Sequence, residues 1–237
     1  MHFVPWLKRN FLKNKAYLKG KDMKRQKLVT KITDNGLVAV VRAETAEQAY
    51  RIFDACIEGG VAAIEITFTV PGAHKIIEDL ASKYQSDEII LGAGTVLDPE
   101  TARIAILSGA QYIVSPNVNL DTIKLCNRYQ VPTMPGAMTV NEIILGMEAG
   151  ADIIKVFPGN LFGPSIIKSV KGPLPQAQMM PTGGVSLDTV RDWILAGAVA
   201  VGAGSSLTKG AKTGDYAAVT STAREFLKRI EEARAEL

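Results

Sequence analysis

Ala151-Asp152-Ile153-Ile154-Lys155-Val156-Phe157-Pro158-Gly159 is an apolar run interrupted by one lysine and closed by Pro-Gly. The run and its closing turn signal predict a parallel strand buried on both faces, with an amine near its C-terminal end. An ammonium is seldom left in an apolar interior unless it is paired or has lost its proton. Desolvation lowers a lysine pKa, and the neutral amine can attack a ketone to form a Schiff base. The competing reading is a structural lysine that snorkels outward or sits in a buried ion pair. This strand by itself does not separate the two.

On both sides of it, short apolar runs alternate with amphipathic segments. The runs predict strands at 37–42, 62–67, 89–94, 112–115, 132–134, 152–157, 178–182 and 198–202. Helices are expected at about 45–59, 72–84, 98–108, 119–129, 139–149, 164–170, 186–196 and 214–235. Asp98-Pro99-Glu100 and Thr139-Val140-Asn141-Glu142 have the form of helix N-caps with an acidic first turn. Gly59-Gly60, Gly109, Gly150 and Gly197 stand where helices end in a left-handed residue. Eight βα units in about 210 residues predict a single (β/α)8 TIM barrel with an N-terminal helix or extension, over an open doubly wound sheet or a flavodoxin-like sheet with an appendage. Arg42, Glu65, Thr95, Ser115, Lys155 and Thr182 each fall at or just after a different strand's C-terminal end, and a closed barrel gathers those ends over one mouth.

Alternate residues of a strand share a face, so Ile153, Lys155 and Phe157 group together, as do Ala63, Glu65 and Thr67. If both sets face inward, a carboxylate and an amine share one interior. The bland alternative is a salt bridge that only fixes the barrel, and such pairs are costly to bury. The functional reading makes Lys155 the nucleophile and Glu65 the proton carrier. Pro181-Thr182-Gly183-Gly184-Val185 and Val201-Gly202-Ala203-Gly204-Ser205-Ser206 follow the last two strands, where backbone N–H groups of glycine loops bind phosphate in this fold. Arg42 is the best side chain for an anionic substrate group, and Thr95 a candidate for hydrogen bonding to a carboxylate or carbonyl.

Composition narrows the function classes. The 237 residues are 47% hydrophobic and 22% charged, enough for one well-buried core. Residues 1–23 hold six Lys or Arg against Asp22 alone, a net of +5, so the formal +3 of the chain leaves −2 for residues 24–237. The chain thus divides into a basic leader, 1–23, expected to be a poorly ordered or non-functional extension, and a barrel domain, 24–237, with no electrostatic footprint for nucleic acid. No apolar run approaches the roughly 20 residues that span a bilayer. Cys56 and Cys126 lack disulfide or metal spacing and fit a reducing cytoplasm. The two histidines, His2 and His74, suggest no metal site. No cofactor is expected.

The phrases Ile64-Glu65-Ile66-Thr67, Gly92-Ala93-Gly94-Thr95-Val96, Val114-Ser115-Pro116, Met134-Pro135-Gly136, Ile154-Lys155-Val156-Phe157-Pro158 and Pro181-Thr182-Gly183-Gly184 resemble, in order, those of the bifunctional 2-keto-3-deoxy-6-phosphogluconate (KDPG) / 4-hydroxy-2-oxoglutarate (KHG) aldolases. The resemblance runs from about residue 27 to about residue 230. It implies a metal-free class I aldolase releasing pyruvate and glyceraldehyde 3-phosphate from a keto-acid phosphate. It assigns the Schiff base to Lys155 and the general acid/base to Glu65, and gives the phosphate to Thr182, Gly183, Gly184, Gly204 and Ser205. Thr95 would help hold the pyruvate part, and Pro116 and Phe157 join the substrate-binding set. It also implies a homotrimer. Some family members carry an arginine four residues after the glutamate, where this chain has Thr69, which leaves Arg42 as the carboxylate partner. Aldolases for the galactonate-derived analogue, and a non-catalytic phospho-ligand barrel, stay open as alternatives.

Overall fold

The computed structural model describes residues 25–84 and 89–237; the expectation for the leader falls outside them. A helix at 25–35 (α1) leads into β1 (Leu37–Val41), α2 (Ala46–Glu58), β2 (Ala63–Thr67) and α3 (Ala73–Lys83). Next come β3 (Ile90–Gly94), α4 (Pro99–Leu107), β4 (Tyr112–Val114), α5 (Leu120–Tyr129), β5 (Thr133–Met134) and β6 (Gly136–Ala137). The chain continues through α6 (Val140–Glu148), β7 (Ile154–Val156), α7 (Ser165–Lys171), β8 (Met179–Pro181), α8 (Val190–Leu195), β9 (Val201–Ala203) and α9 (Tyr216–Ala235).

Local chemistry sets these boundaries. Asp98 accepts from the Thr101 N–H at 2.6 Å, with Pro99 opening α4. Thr139 and Glu142 form a reciprocal capping box at the start of α6. Gly60, Gly109, Gly150 and Gly197 all take positive φ just after a helix, a conformation only glycine adopts without strain. Helix α8 is shorter than the expected 186–196. Thr189 turns back to accept from the Ser186 N–H and to donate to the Gly184 carbonyl, which holds the preceding residues in a turn.

All paired strands are parallel. One sheet has the order β5-β4-β3-β2-β1-β9 and the other β6-β7-β8. The eight expected runs are all present, and a ninth strand, β6, was not foreseen. Pro135 has no N–H to give a ladder, so the expected strand at 132–134 ends as β5 and the chain resumes pairing beyond the proline as β6, while the Pro135 carbonyl accepts from the Lys155 N–H at 2.9 Å. At the other edges a parallel bridge between Thr182 and Gly202 links the end of β8 to β9.

The predicted alternation sorts side chains into two apolar clusters. Ile64, Ile66, Ile154 and Val156 join the large cluster with the helices. Ala63, Ile153, Val38, Ile90 and Met180 belong to a smaller inner cluster, onto which α1 packs Val29 and Ile32. Burying each of these two α1 side chains contributes about 1.5–3 kcal/mol and covers the N-terminal ends of the strands. The α1 helix is pinned beside β7 as well. Arg25 donates from Nε and Nη2 to the two carboxylate oxygens of Asp152 at 2.9 and 2.7 Å, and Asp152 also accepts from the Thr133 N–H at 2.9 Å.

Candidate active site

Above the inner apolar cluster the same strand faces carry polar groups. Lys155 on β7 is 3% exposed and Glu65 on β2 is 1% exposed. Burial pushes the Lys155 pKa below that of a free lysine, the Glu65 charge pulls it back up, and Arg42 lowers it further. Burial pushes Glu65 up from the usual carboxylate range, while Lys155 and Arg42 pull it down. Desolvation is the largest cause for both, so each group leans towards its uncharged form. The alternative of a closed salt bridge is not what the structure shows. Among the described residues no ion pair joins them; Glu65 Oε2 has no hydrogen-bond partner, and Lys155 Nζ lies 4.9 Å from the centre of the Phe157 ring. A lysine that gives up its proton more readily, beside a carboxyl group that takes one up more readily, suits imine chemistry.

Glycines make the room. A Cβ on Gly94 would come within 2.4 Å of Glu65 Oε1, so the carboxylate leans over bare backbone at the end of β3. A Cβ on Gly202 would come within 2.3 Å of Thr182 Oγ1, a buried hydroxyl with no partner. Thr95, directly after Gly94, holds φ +57, a strained backbone for a threonine and of a kind concentrated at functional sites. Thr67 is not free: its hydroxyl donates to the Val41 carbonyl at 3.0 Å and lies 2.7 Å from the Thr69 hydroxyl.

Exposure rises along the constellation. Lys155, Glu65 and Thr182 are buried; Thr95, Pro116, Phe157, Gly183 and Gly204 are half-buried; Arg42, Gly184 and Ser205 are exposed. In the two glycine loops the N–H groups of Gly184, Ser205 and Ser206 meet no backbone acceptor among the described residues, leaving them available to an anion. Arg42 Nη1 would lie 3.3 Å from a Cβ on Gly204, and Arg42 and Ser205 line a hollow of about 340 Å³ together with Gln48 and Lys212. That hollow does not include Lys155 or Glu65, and larger ones of about 560 and 410 Å³ lie against α1 and between α2 and α9, away from the buried pair. The residues expected from sequence thus gather at the C-terminal strand ends, with Arg42 on the outer rim. Gln48, Lys212 and Asn160, which crowds Gly183 and Gly184, lie on helices or loops and carried no pattern that singled them out. His74 is exposed on α3, and among the described residues no group of three His, Cys, Asp or Glu could hold a metal.

Comparison with known proteins identifies the family. The family model described as KDPG and KHG aldolase matches residues 28–222. The 2-dehydro-3-deoxy-6-phosphogalactonate aldolase of Escherichia coli strain K12 is 34% identical over 198 residues, covering 83% of this chain and 95% of that protein. The KHG/KDPG aldolase of the same strain is 32% identical over 200 residues, covering 83% and 93%. The crystal structure of the KDPG aldolase from Legionella pneumophila, with pyruvate captured as a covalent carbinolamine, superposes with a TM-score of 0.73 at 25% identity, covering 80% of this chain and 92% of that one. With its family model matched over most of its length, this chain belongs to the KDPG and KHG aldolases, carbon–carbon lyases.

Proposed function

We propose that the protein is a class I aldolase that cleaves KDPG to pyruvate and glyceraldehyde 3-phosphate and also acts on KHG. The observation that carries this is the buried Lys155 beside Glu65, both displaced towards neutrality without pairing. The Lys155 amine attacks the C2 ketone, and loss of water gives the protonated imine. Glu65 then takes the proton of the C4 hydroxyl as the C3–C4 bond breaks. The bonding electrons move into the imine to give an enamine, the aldehyde departs, and Glu65 returns its proton to C3 before water releases pyruvate. Thr95, Pro116 and Phe157 hold the keto-acid end with help from Arg42, and Thr182, Gly183, Gly184, Gly204 and Ser205 hold the phosphate.

In this reading residues 24–237 form one closed (β/α)8 barrel, with β5 and β6 counting as a single strand broken at Pro135. The setting is cytoplasmic, and among the described residues no helix is long and apolar enough to cross a membrane. Exposed Leu97, Ile104, Leu107, Met138, Val140 and Leu145, on α4, on α6 and just before each, support a homotrimer that covers them. Equilibrium sedimentation should give three copies; a monomer would remove this part.

Incubation with pyruvate and borohydride should leave one stable adduct, on Lys155. An adduct elsewhere, or none, overturns the assignment. One feature favours a second substrate, the galactonate-derived epimer: the 34% identity to the phosphogalactonate aldolase. Relative kcat/KM for the two epimers decides between them.

A further inference from the structure

Tyr112 on β4 is fully buried, yet its hydroxyl has no hydrogen-bond partner. A buried hydroxyl left unpaired forfeits its hydration without compensation, so its presence asks for a reason. Its surroundings supply one. In the ladders Gly92 is the register partner of Glu65 on one side and of Tyr112 on the other, so the three stand in line across β2, β3 and β4. The tyrosine ring lies over Gly92: a Cβ there would come within 2.2 Å of Cζ, the carbon that bears the hydroxyl, and within 2.4 and 2.5 Å of the adjacent ring carbons. With strands about 4.8 Å apart, a phenol whose far end already covers the middle strand extends its hydroxyl towards β2 and Glu65. Glu65 Oε2 is the other buried oxygen there without a partner.

We propose that Tyr112 is a positioning residue for Glu65, its phenol donating a hydrogen bond to Oε2 whenever the carboxyl is ionised and leaving Oε1, above Gly94, to exchange protons with substrate. This rests on Glu65 being the proton carrier. The phenol keeps its own proton throughout; burial first, and the Glu65 charge second, hold its pKa well above the usual range, so it stays a donor. The charged groups acting on Glu65 are Lys155 from β7 and Arg42 from beyond β1, both cations that favour its ionised form. Tyr112 adds a third influence of the same sign, because a hydrogen bond to the carboxylate favours ionisation. Together these oppose the desolvation that would otherwise keep Glu65 protonated and unable to act as a base.

Tyr112→Phe keeps the ring over Gly92 and removes the donor. The expected result is a fall in kcat at neutral pH of about tenfold and an acid limb of the kcat profile moved up by about one pH unit. KM should change less than about twofold, and Lys155 should still be trapped by pyruvate and borohydride. An acid limb that stays in place overturns the proposal, whatever happens to kcat, because a filler of space would not move it. Should the variant not fold, 3-fluorotyrosine at position 112, a more acidic donor, should move the limb the other way, and no movement again overturns it. Glu65→Gln distinguishes the two levels. If it turns over normally, the proton-carrier reading fails and takes this inference with it. If it is inactive while the Tyr112→Phe limb is unmoved, only the role of Tyr112 falls.

Discussion

Asp152, just before β7, and Lys155, within it, are three residues apart, and the protein treats their charges in opposite ways. Asp152 is held by Arg25 through two hydrogen bonds and by the Thr133 N–H, at side-chain exposures of 15% and 16% for the acid and the base. Lys155 is more deeply buried and has an aromatic face in place of an ion pair. A charge whose hydrogen-bonding capacity is used up is fixed and becomes part of the frame. A buried group left unpaired can change its protonation state, which is what chemistry requires of it.

The contrast can be broken at either end. Lys155→Ala should lower kcat by at least about 10⁴-fold and abolish pyruvate trapping, since it removes the nucleophile itself; retained trapping would place the reactive amine elsewhere. Glu65→Gln should cost about 10²–10⁴ in turnover while leaving the Schiff base able to form. It should also move the pH dependence of trapping. Only the neutral amine reacts, so the trapping rate rises with pH through the folded pKa of Lys155, which burial places below 10.5. The Glu65 carboxylate raises that pKa, so removing its charge should bring the midpoint to lower pH; a midpoint moving upward would contradict the electrostatic picture. At the other end, Arg25→Ala should lower stability by about 1–3 kcal/mol in denaturant unfolding and leave kcat nearly unchanged. A large loss of activity in a well-folded Arg25→Ala would show that the frame and the reactive end are coupled.

The buried pair proposed to react was legible because a lysine and a glutamate each interrupt an apolar strand, and strand parity groups both on faces the structure buries. The order of elements was legible for the same reason, since period-2 and period-3.6 patterns differ plainly over such lengths. Two features were not. β6 is two residues long beside Pro135, too short to carry a period. Tyr112 reads in sequence as one more apolar core residue; the place of its hydroxyl depends on Gly92 in the next strand, a relation set by register rather than by spacing along the chain.

The packing of Val29 and Ile32 beneath the inner cluster has one further consequence. The N-terminal side of the inner cluster is packed by α1 and the glycine loops follow the opposite strand ends, so a substrate is expected to approach Lys155 from the loop side. For a reaction run as proposed, the three-carbon fragment is tethered nearest the floor while its phosphorylated partner sits at the threshold. Departure then follows a queue, the aldehyde first and the keto acid last, because the keto acid stays covalently tethered until its imine is hydrolysed.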